Sequence, residues 1–245
     1  MLLVTLTWRN CWAKAYKYAQ TNEMQINEEK SKVMLFNTAR LYDGMPKLTL
    51  SGVGDDYLEV VEKFKLLGVI IRSDMKWWDN TDYICKKGYE RLWMLRRLKG
   101  LGASEAEMLD VYHKQVRSVL ELAVPVWQPA ITQQETRQIE RVQRCALYII
   151  LGDDYTSYDD ALDTLECDNL DVRRVKLCEN FAKKAFKNPK YTNWFCIDDT
   201  VPQNTNTRSD ATRIIRHLKP VQTRTQRYER SPIPNVTKLL NNVMT

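Results

Sequence analysis

An α+β fold that is mostly α follows from three observations. Between about residues 26 and 71 the apolar residues alternate or sit in short β-prone clusters, with Gly44, Gly52 and Gly54 marking turns. Beyond Asp79 the apolar period changes from two to about 3.6. From Asp198 onward Pro, Asn, Thr and Arg dominate and apolar periodicity is lost. The expectation is a small antiparallel sheet, a helical bundle and an irregular basic tail, divided at 1–80, 81–195 and 196–245.

Trp8, Trp12, Ala15, Tyr16 and Ala19 recur at helical spacing and predict a first helix ending near Thr21. Residues 32–36, 47–50, 57–61 and 66–71 then read as strands. Residues 82–99 predict a helix with Cys85, Tyr89, Leu92 and Leu95 inward and Lys86, Lys87, Arg91 and Arg97 outward; Gly100 and Gly102 stop it. Ser104 with Glu107 is a capping box, and the helix it opens holds Met108, Val111, Tyr112, Gln115, Val116, Val119, Leu120 and Ala123 on one face as far as Pro125. Pro125 to Pro129 predicts an extended turn. Thr132 with Glu135 is a second capping box, for a helix through Ile139, Val142, Ala146, Ile149 and Ile150 to Gly152. Ser157 with Asp160 caps a short helix, and Leu170, Arg174, Leu177, Cys178, Phe181, Ala182 and Ala185 define another that stops before Pro189.

Charge is segregated along the chain. The formal net charge is +6, but residues 86–99 carry six Lys/Arg against one Glu and residues 208–230 carry seven against two acids. Residues 153–171 hold eight acids and no Lys or Arg. Such basic segments attract phosphate-bearing partners. Aromatics are interleaved with them: Trp93 with Arg96 and Arg97, Phe186 with Lys183, Lys184 and Lys187, and Tyr228 with Arg227 and Arg230. That combination suits backbone phosphates plus base stacking, and it equally suits solvated helix faces whose lysine stems cover core aromatics.

The six cysteines lack metal-ligand spacing and are expected as reduced thiols, with no metal bound. No secretory leader and no membrane-spanning run is evident, so an intracellular location, cytoplasmic or nuclear, is expected. Gly-Asp-Asp-Tyr occurs twice, at 54–57 and 152–155. A two-metal polymerase reading of Asp153 and Asp154 requires a strand-turn-strand setting and a second carboxylate source, for which Asp74 and Asp79 are the candidates. The capping box and helical period of residues 132–151 favour helix-end aspartates instead. His113 and His217 lack the surroundings of a Ser or Cys hydrolase, and no phosphate-binding Gly-rich loop is present.

The run Phe64-Lys65-Leu66-Leu67-Gly68-Val69-Ile70-Ile71, followed by Asp74-Met75-Lys76-Trp77-Trp78, resembles the primer-grip region of LINE-type, non-LTR retrotransposon reverse transcriptases. Met24 to Asn37 is similar to the segment that follows the family's catalytic Phe-Ala-Asp-Asp turn. Val111-Tyr112, Val116 to Glu121, Pro125-Val126-Trp127, Ile139 to Arg144 and Asp154 to Tyr158 are similar to its thumb and post-thumb helices, and Thr207-Arg208-Ser209 and Ser231 to Pro234 to the end of such a reading frame.

The resemblance implies an RNA-directed DNA polymerase lineage, with an RNA template and a DNA primer as partners and no membrane. It implies a primer grip at Phe64, Lys65, Leu66, Leu67 and Gly68. Lys30, or less favourably Lys32, would be the motif D lysine that assists the leaving pyrophosphate. The basic positions taken as nucleic-acid contacts are Lys86, Lys87, Arg91, Arg97, Arg117, Lys183, Lys184 and Lys187. The family's catalytic aspartate motifs are missing, so the expected product is a truncated C-terminal fragment without catalysis of its own. No cofactor is expected in it, Mg²⁺ belonging to the intact parent enzyme. The alternative is a non-enzymatic helical protein-interaction module.

Overall fold

The computed structural model describes residues 13–27, 30–36, 59–195, 218–222 and 229–244. The expected strand at 47–50, the first Gly-Asp-Asp-Tyr, Trp8, Trp12, Cys11, Cys196, His217, Arg227 and Tyr228 lie outside those residues. The chain divides into two compact units, Met1–Phe64 with Arg72–Asp74, and Lys65–Ile71 with Met75–Thr245. The α+β, mostly α, class is observed.

In the first unit, helix α1 (13–21) ends where expected and buries Ala19. Strand β1 (Lys32–Val33) pairs with β2 (Glu59–Val60), Val33 buried and Lys32 ion-paired to Glu59 opposite it. This pair is parallel, whereas the whole sheet was expected to be antiparallel. The 25 residues between Val33 and Glu59 allow it, because parallel neighbours need a connection of about a dozen residues or more. Strands β3 (Lys63–Leu66) and β4 (Val69–Arg72) form a separate two-stranded hairpin, antiparallel as expected, but the single strand expected over 66–71 is broken by the turn at Leu67 and Gly68, and the charged stretch before it supplies the first strand.

The second unit is built on α2 (Trp78–Gly100), which starts a turn before the expected Asp82. Its buried seam is Thr81, Ile84, Cys85, Gly88, Leu92 and Leu95. Tyr89, expected inward, is 41% exposed, because Gly88 takes the contact position. A Cβ at Gly88 would stand 2.9 Å from Val142 Cγ1 and 3.1 Å from Leu120 Cδ2, so the absence of a side chain there lets the helices that carry Val142 and Leu120 close in.

Helix α3 (Glu105–Val111) opens on the predicted capping box of Ser104 and Glu107. It passes through a π-helical stretch, Tyr112–Arg117, into α4 (Ser118–Leu120). The buried positions are Met108, Tyr112, Val116 and Leu120, four residues apart. In a regular α-helix each such step overshoots a turn by about 40°, and a wider π turn reduces that drift and keeps the four on one face. Gln115, expected on this face, is exposed. Its main-chain carbonyl accepts from Arg91 Nη1, and that of Lys114 accepts from Ser118 Oγ at 2.7 Å.

The helix ends at Leu120 rather than Pro125. Ala123, at φ 52°, reverses the chain into a short helix α5 (Val124–Trp127) followed by a 3₁₀ turn, Gln128–Ala130. The extended turn expected from the two prolines is thus helical, because proline in a first helical turn has no N–H to leave unpaired. Trp127 is buried and donates its indole N–H to the carbonyl of Leu122 at 2.8 Å.

Helix α6 (Gln133–Leu151) has the predicted capping box and inward face. It lies alongside α2 and runs in the same direction: Gln138 bonds Asp82 at 2.6 Å near the start, and Lys99 Nζ caps the Ile149 carbonyl at 2.8 Å near the end. The beginnings of the two are linked as well, Thr81 Oγ1 donating to Glu135 of the capping box at 3.4 Å. Helices α7 (Tyr158–Thr164) and α8 (Leu170–Lys187) follow, the first with the expected cap from Ser157 and the second capped by Asn169, whose side chain accepts from Asp171 N.

A buried polar chain ties these helices together. Tyr112 donates to Gln143 Oε1; Gln143 Nε2 donates to the Tyr158 hydroxyl at 3.1 Å and the Asp168 carbonyl at 3.0 Å; Tyr158 donates to Glu140 Oε1, which also accepts from Leu170 N at 3.0 Å. Networks of this kind specify one packing arrangement, although Glu140 Oε2 is buried here without a hydrogen-bond partner. Arg174, at 0% exposure, donates to Gln128 Oε1 at 2.7 Å and Asp171 at 3.4 Å, and burial pulls its guanidinium pKa down.

The tail was expected to be irregular, but Pro232–Met244 is a helix, α9. It buries Val236 and Leu240 with Ala182, Ala185, Phe195 and Leu218 in a second core. Asn241 holds Leu218 from both sides, accepting from its N–H and donating to its carbonyl, each at 2.9 Å. Among the described residues no helix is long and apolar enough to cross a membrane.

Candidate nucleic-acid interface

The segment Phe64 to Gly68 forms the last three residues of β3 and the turn to β4. Leu67 and Gly68 both have positive φ, 48° and 89°, the mark of a hairpin turn whose twist matches its strands. Leu67 is 91% exposed and Leu66 is exposed. Gly68 is backed by Leu122, whose Cδ2 would lie 2.9 Å from a Cβ. The hairpin's second strand is fixed to α2 by buried Val69 and by Ile70 N, which donates to Asn80 Oδ1 at 3.0 Å.

That attachment brings Lys65 over the start of α2. Its Nζ stands 4.4 Å from the centroid of the Tyr83 ring, and Lys87 Nζ, one helical turn on, stands 4.9 Å from the same centroid. Two of the predicted contacts from different parts of the chain therefore converge on one phenol. The two ammonium groups, Lys65 first, hold the Tyr83 pKa below its ordinary value. Tyr83 was not singled out from the sequence; its i,i+4 spacing to Lys87 could have suggested half of the cluster, while Lys65 arrives only through the hairpin.

Farther along α2, Lys86, Tyr89, Trp93 and Arg97 share the solvent face, with Trp93 60% exposed. Arg91 is not free for a ligand, since it donates to the Gln115 carbonyl. Arg117 is likewise turned inward: it lies 3.8 Å from Glu121, whose carboxylate also takes both Nε and Nη2 of Arg173. These two arginines hold the fold. Lys183, Lys184 and Lys187 are exposed in the last turns of α8, where cations complement the helix C-terminus. Their neighbour Phe186 belongs to the second core, edge-on to Phe195 at 5.7 Å, and is unavailable for stacking on bases. Arg137, Arg141 and Arg144, exposed on α6 at helical spacing, extend the basic surface and were missed; Arg144 lies 5.0 Å over the Tyr158 ring.

In the other unit, Lys32 is held by Glu59, while Lys30 is exposed in the turn before β1, its N–H donating to Asn27 Oδ1 at 2.9 Å. Asp153 and Asp154 are exposed in a 3₁₀ turn at the end of α6, and the segment before them is helix, so the strand-turn-strand setting for paired metals is not formed. Asp74 pairs with Arg72 at 2.9 Å, and Asp79 sits in the first turn of α2. Among the described residues no group of three or more His, Cys, Asp or Glu could hold a metal ion. Among the described residues the carboxylates singled out from the sequence, Asp74, Asp79, Asp153 and Asp154, are therefore not gathered into a set that fits the Mg²⁺ pair of a polymerase.

His113 Nε2 and Cys167 Sγ stand 3.7 Å apart, a juxtaposition absent from the sequence reading. Burial drives them in opposite directions: the imidazole pKa falls to about 4, with Arg117 and Arg173 adding to the effect, and the thiol pKa rises. Both shifts oppose proton transfer from sulfur to the imidazole, against the thiolate that a nucleophile requires. Burial likewise raises Cys85 to about 12 and Cys178 to about 11.

Comparison with family models, curated proteins and solved structures finds no match.

Proposed function

We propose that this chain binds a primer–template duplex of RNA and DNA as the palm-end, thumb and tail portion of a LINE-type reverse transcriptase, positioning nucleic acid without carrying out phosphoryl transfer. The observation that carries this reading is the solvent face of α2, where Lys86 and Arg97 flank exposed Tyr89 and Trp93 on a rigid helix. Ammonium and guanidinium groups at that spacing neutralise backbone phosphates, and the aromatics offer stacking surface. The resemblance of Phe64 to Gly68 to a primer grip supplies the kind of nucleic acid, and Lys30 is its motif D lysine. The tail, with Arg230, adds positive charge.

The test is fluorescence anisotropy of a labelled RNA–DNA duplex against the purified chain over a range of salt. Affinity should fall steeply with salt, and Lys86→Ala with Arg97→Ala should flatten the dependence by about 0.9 per charge removed. Absence of binding at low ionic strength defeats the reading. It would favour the helical interaction module, for which the exposed Leu66, Leu67 and Leu122 offer apolar surface.

A further inference from the structure

We infer that Lys65, Tyr83 and Lys87 form a preorganised clamp for the phosphodiester backbone, with the phenol of Tyr83 as a direct phosphate ligand between two ammonium groups. The inference rests on the nucleic-acid reading above and assigns it a specific contact point.

Both ammonium nitrogens lie within 5 Å of a single ring centroid, at 4.4 and 4.9 Å. Neither forms an ion pair among the described residues. Asp82, the acid next to Tyr83, is engaged by Gln138 at 2.6 Å. Two cations are thus gathered around one neutral ring, whose π face attracts each of them but cannot cancel their mutual repulsion. A phosphate does cancel it, and its oxygens accept from both ammonium groups and from the phenol O–H.

The backbone that carries the site is anchored to the core. Tyr83 is half-buried and packs against the main core, Lys87 is one turn along the same helix, and Lys65 is delivered by a hairpin whose Val69 is buried and whose Ile70 N–H is held by Asn80. A phosphodiester backbone suits the site better than an acidic peptide, because exposed Trp93 and Lys86 continue the surface along α2 with groups that take bases and further phosphates.

The experiment compares the full chain with Lys65→Ala/Lys87→Ala, Tyr83→Phe and the control Lys176→Ala, whose ammonium is already paired with Asp168. Binding of a labelled RNA–DNA duplex is measured between about 50 and 200 mM salt. Loss of two phosphate contacts lowers the salt slope by about 1.8, so the wild-type chain should lose about 12-fold more affinity over that range than the double variant. Tyr83→Phe should weaken binding with the slope unchanged, and the control should match wild type. The Tyr83 ring resonances should move on titration with duplex in wild type and stay still in the double variant. A double variant that keeps wild-type affinity and slope overturns the clamp and leaves the nucleic-acid reading standing. A wild-type chain that binds no duplex at the lowest salt overturns both. Equal competition by a polyglutamate peptide overturns the assignment to phosphate.

Discussion

Replacing Gly88 by alanine sets two effects of known sign against each other. Gly88 lies in mid-α2, where alanine is favoured over glycine by about 1 kcal/mol through backbone entropy. The added methyl would stand 2.9 Å from Val142 Cγ1 and 3.1 Å from Leu120 Cδ2, both on fully buried, branched side chains. Neither can retreat into solvent, and overpacking of a dense core costs about 1 to 3 kcal/mol. The steric term wins, and Gly88→Ala should destabilise by about 1 kcal/mol, a fall in Tm of about 2 to 4 °C for a domain of this size. The diagnostic is the double variant. Val142→Ala alone should cost about 2 kcal/mol, but in its background the methyl at 88 fills the vacated space, so Gly88→Ala becomes stabilising by about 1 kcal/mol. The coupling across the cycle is then about 2 kcal/mol. Urea unfolding of the four proteins, followed by tryptophan fluorescence with m-values compared, measures it. A rise in the midpoint for Gly88→Ala alone, or coupling below about 0.5 kcal/mol, would refute the close approach of α2, α4 and α6.

Three further outcomes are expected. Gly152→Ala should destabilise by about 1 to 3 kcal/mol in thermal unfolding, because φ is +65° and a Cβ would meet Lys99 Nζ, displacing the ammonium that caps α6; Lys99→Met should show a smaller loss, and equal stability of all three would remove the cap. Leu67→Asn should stabilise the hairpin by about 0.5 to 1 kcal/mol, since leucine at φ 48° is strained and its 91% exposed side chain gives up little packing; a lower urea midpoint would count against it. His113 has a folded pKa near 4 against an ordinary 6.5, so between those values the unfolded chain binds the extra proton and stability falls as pH falls. Glu107, Asp160 and Asp168, whose pKa values are lowered by Ser104, Ser157 and Lys176, act in the same direction in the carboxylate range. The difference between wild type and His113→Gln isolates the histidine: the slope of stability between about pH 6.5 and 4 should flatten in the variant, and parallel curves would show that the imidazole is not buried.

Much of the helical unit was legible because its signals are local. The capping boxes at Ser104 and Thr132 and the cap at Ser157 are satisfied within four residues, so no tertiary knowledge was needed to place those helix starts. Where reading failed, distant partners decided. Tyr89 turned outward because Gly88 brings α6 close, and the prolines at 125 and 129 became helical because Ala123 reverses the chain and Trp127 anchors to Leu122. The candidate interface divides in the same way. Lys86 and Arg97 are on the face that periodicity assigned them, whereas Arg91 and Arg117 are occupied by the Gln115 carbonyl and by Glu121, partners invisible to a charge count.

By itself the sequence determined the helical periods, the caps, the segregation of charge and the exposure of the basic face of α2, all of which follow from residues within a turn or two of each other. The tertiary structure alone decided which charges are free and which meet. Lys65 and Lys87 converge on Tyr83 because a hairpin held by Val69 and Asn80 crosses the start of α2. Tyr112, Gln143, Tyr158 and Glu140 join into one buried chain because three helices pack there. Electrostatics and hydrogen bonding act through space over a few ångströms, and only packing brings residues so distant in sequence within that range.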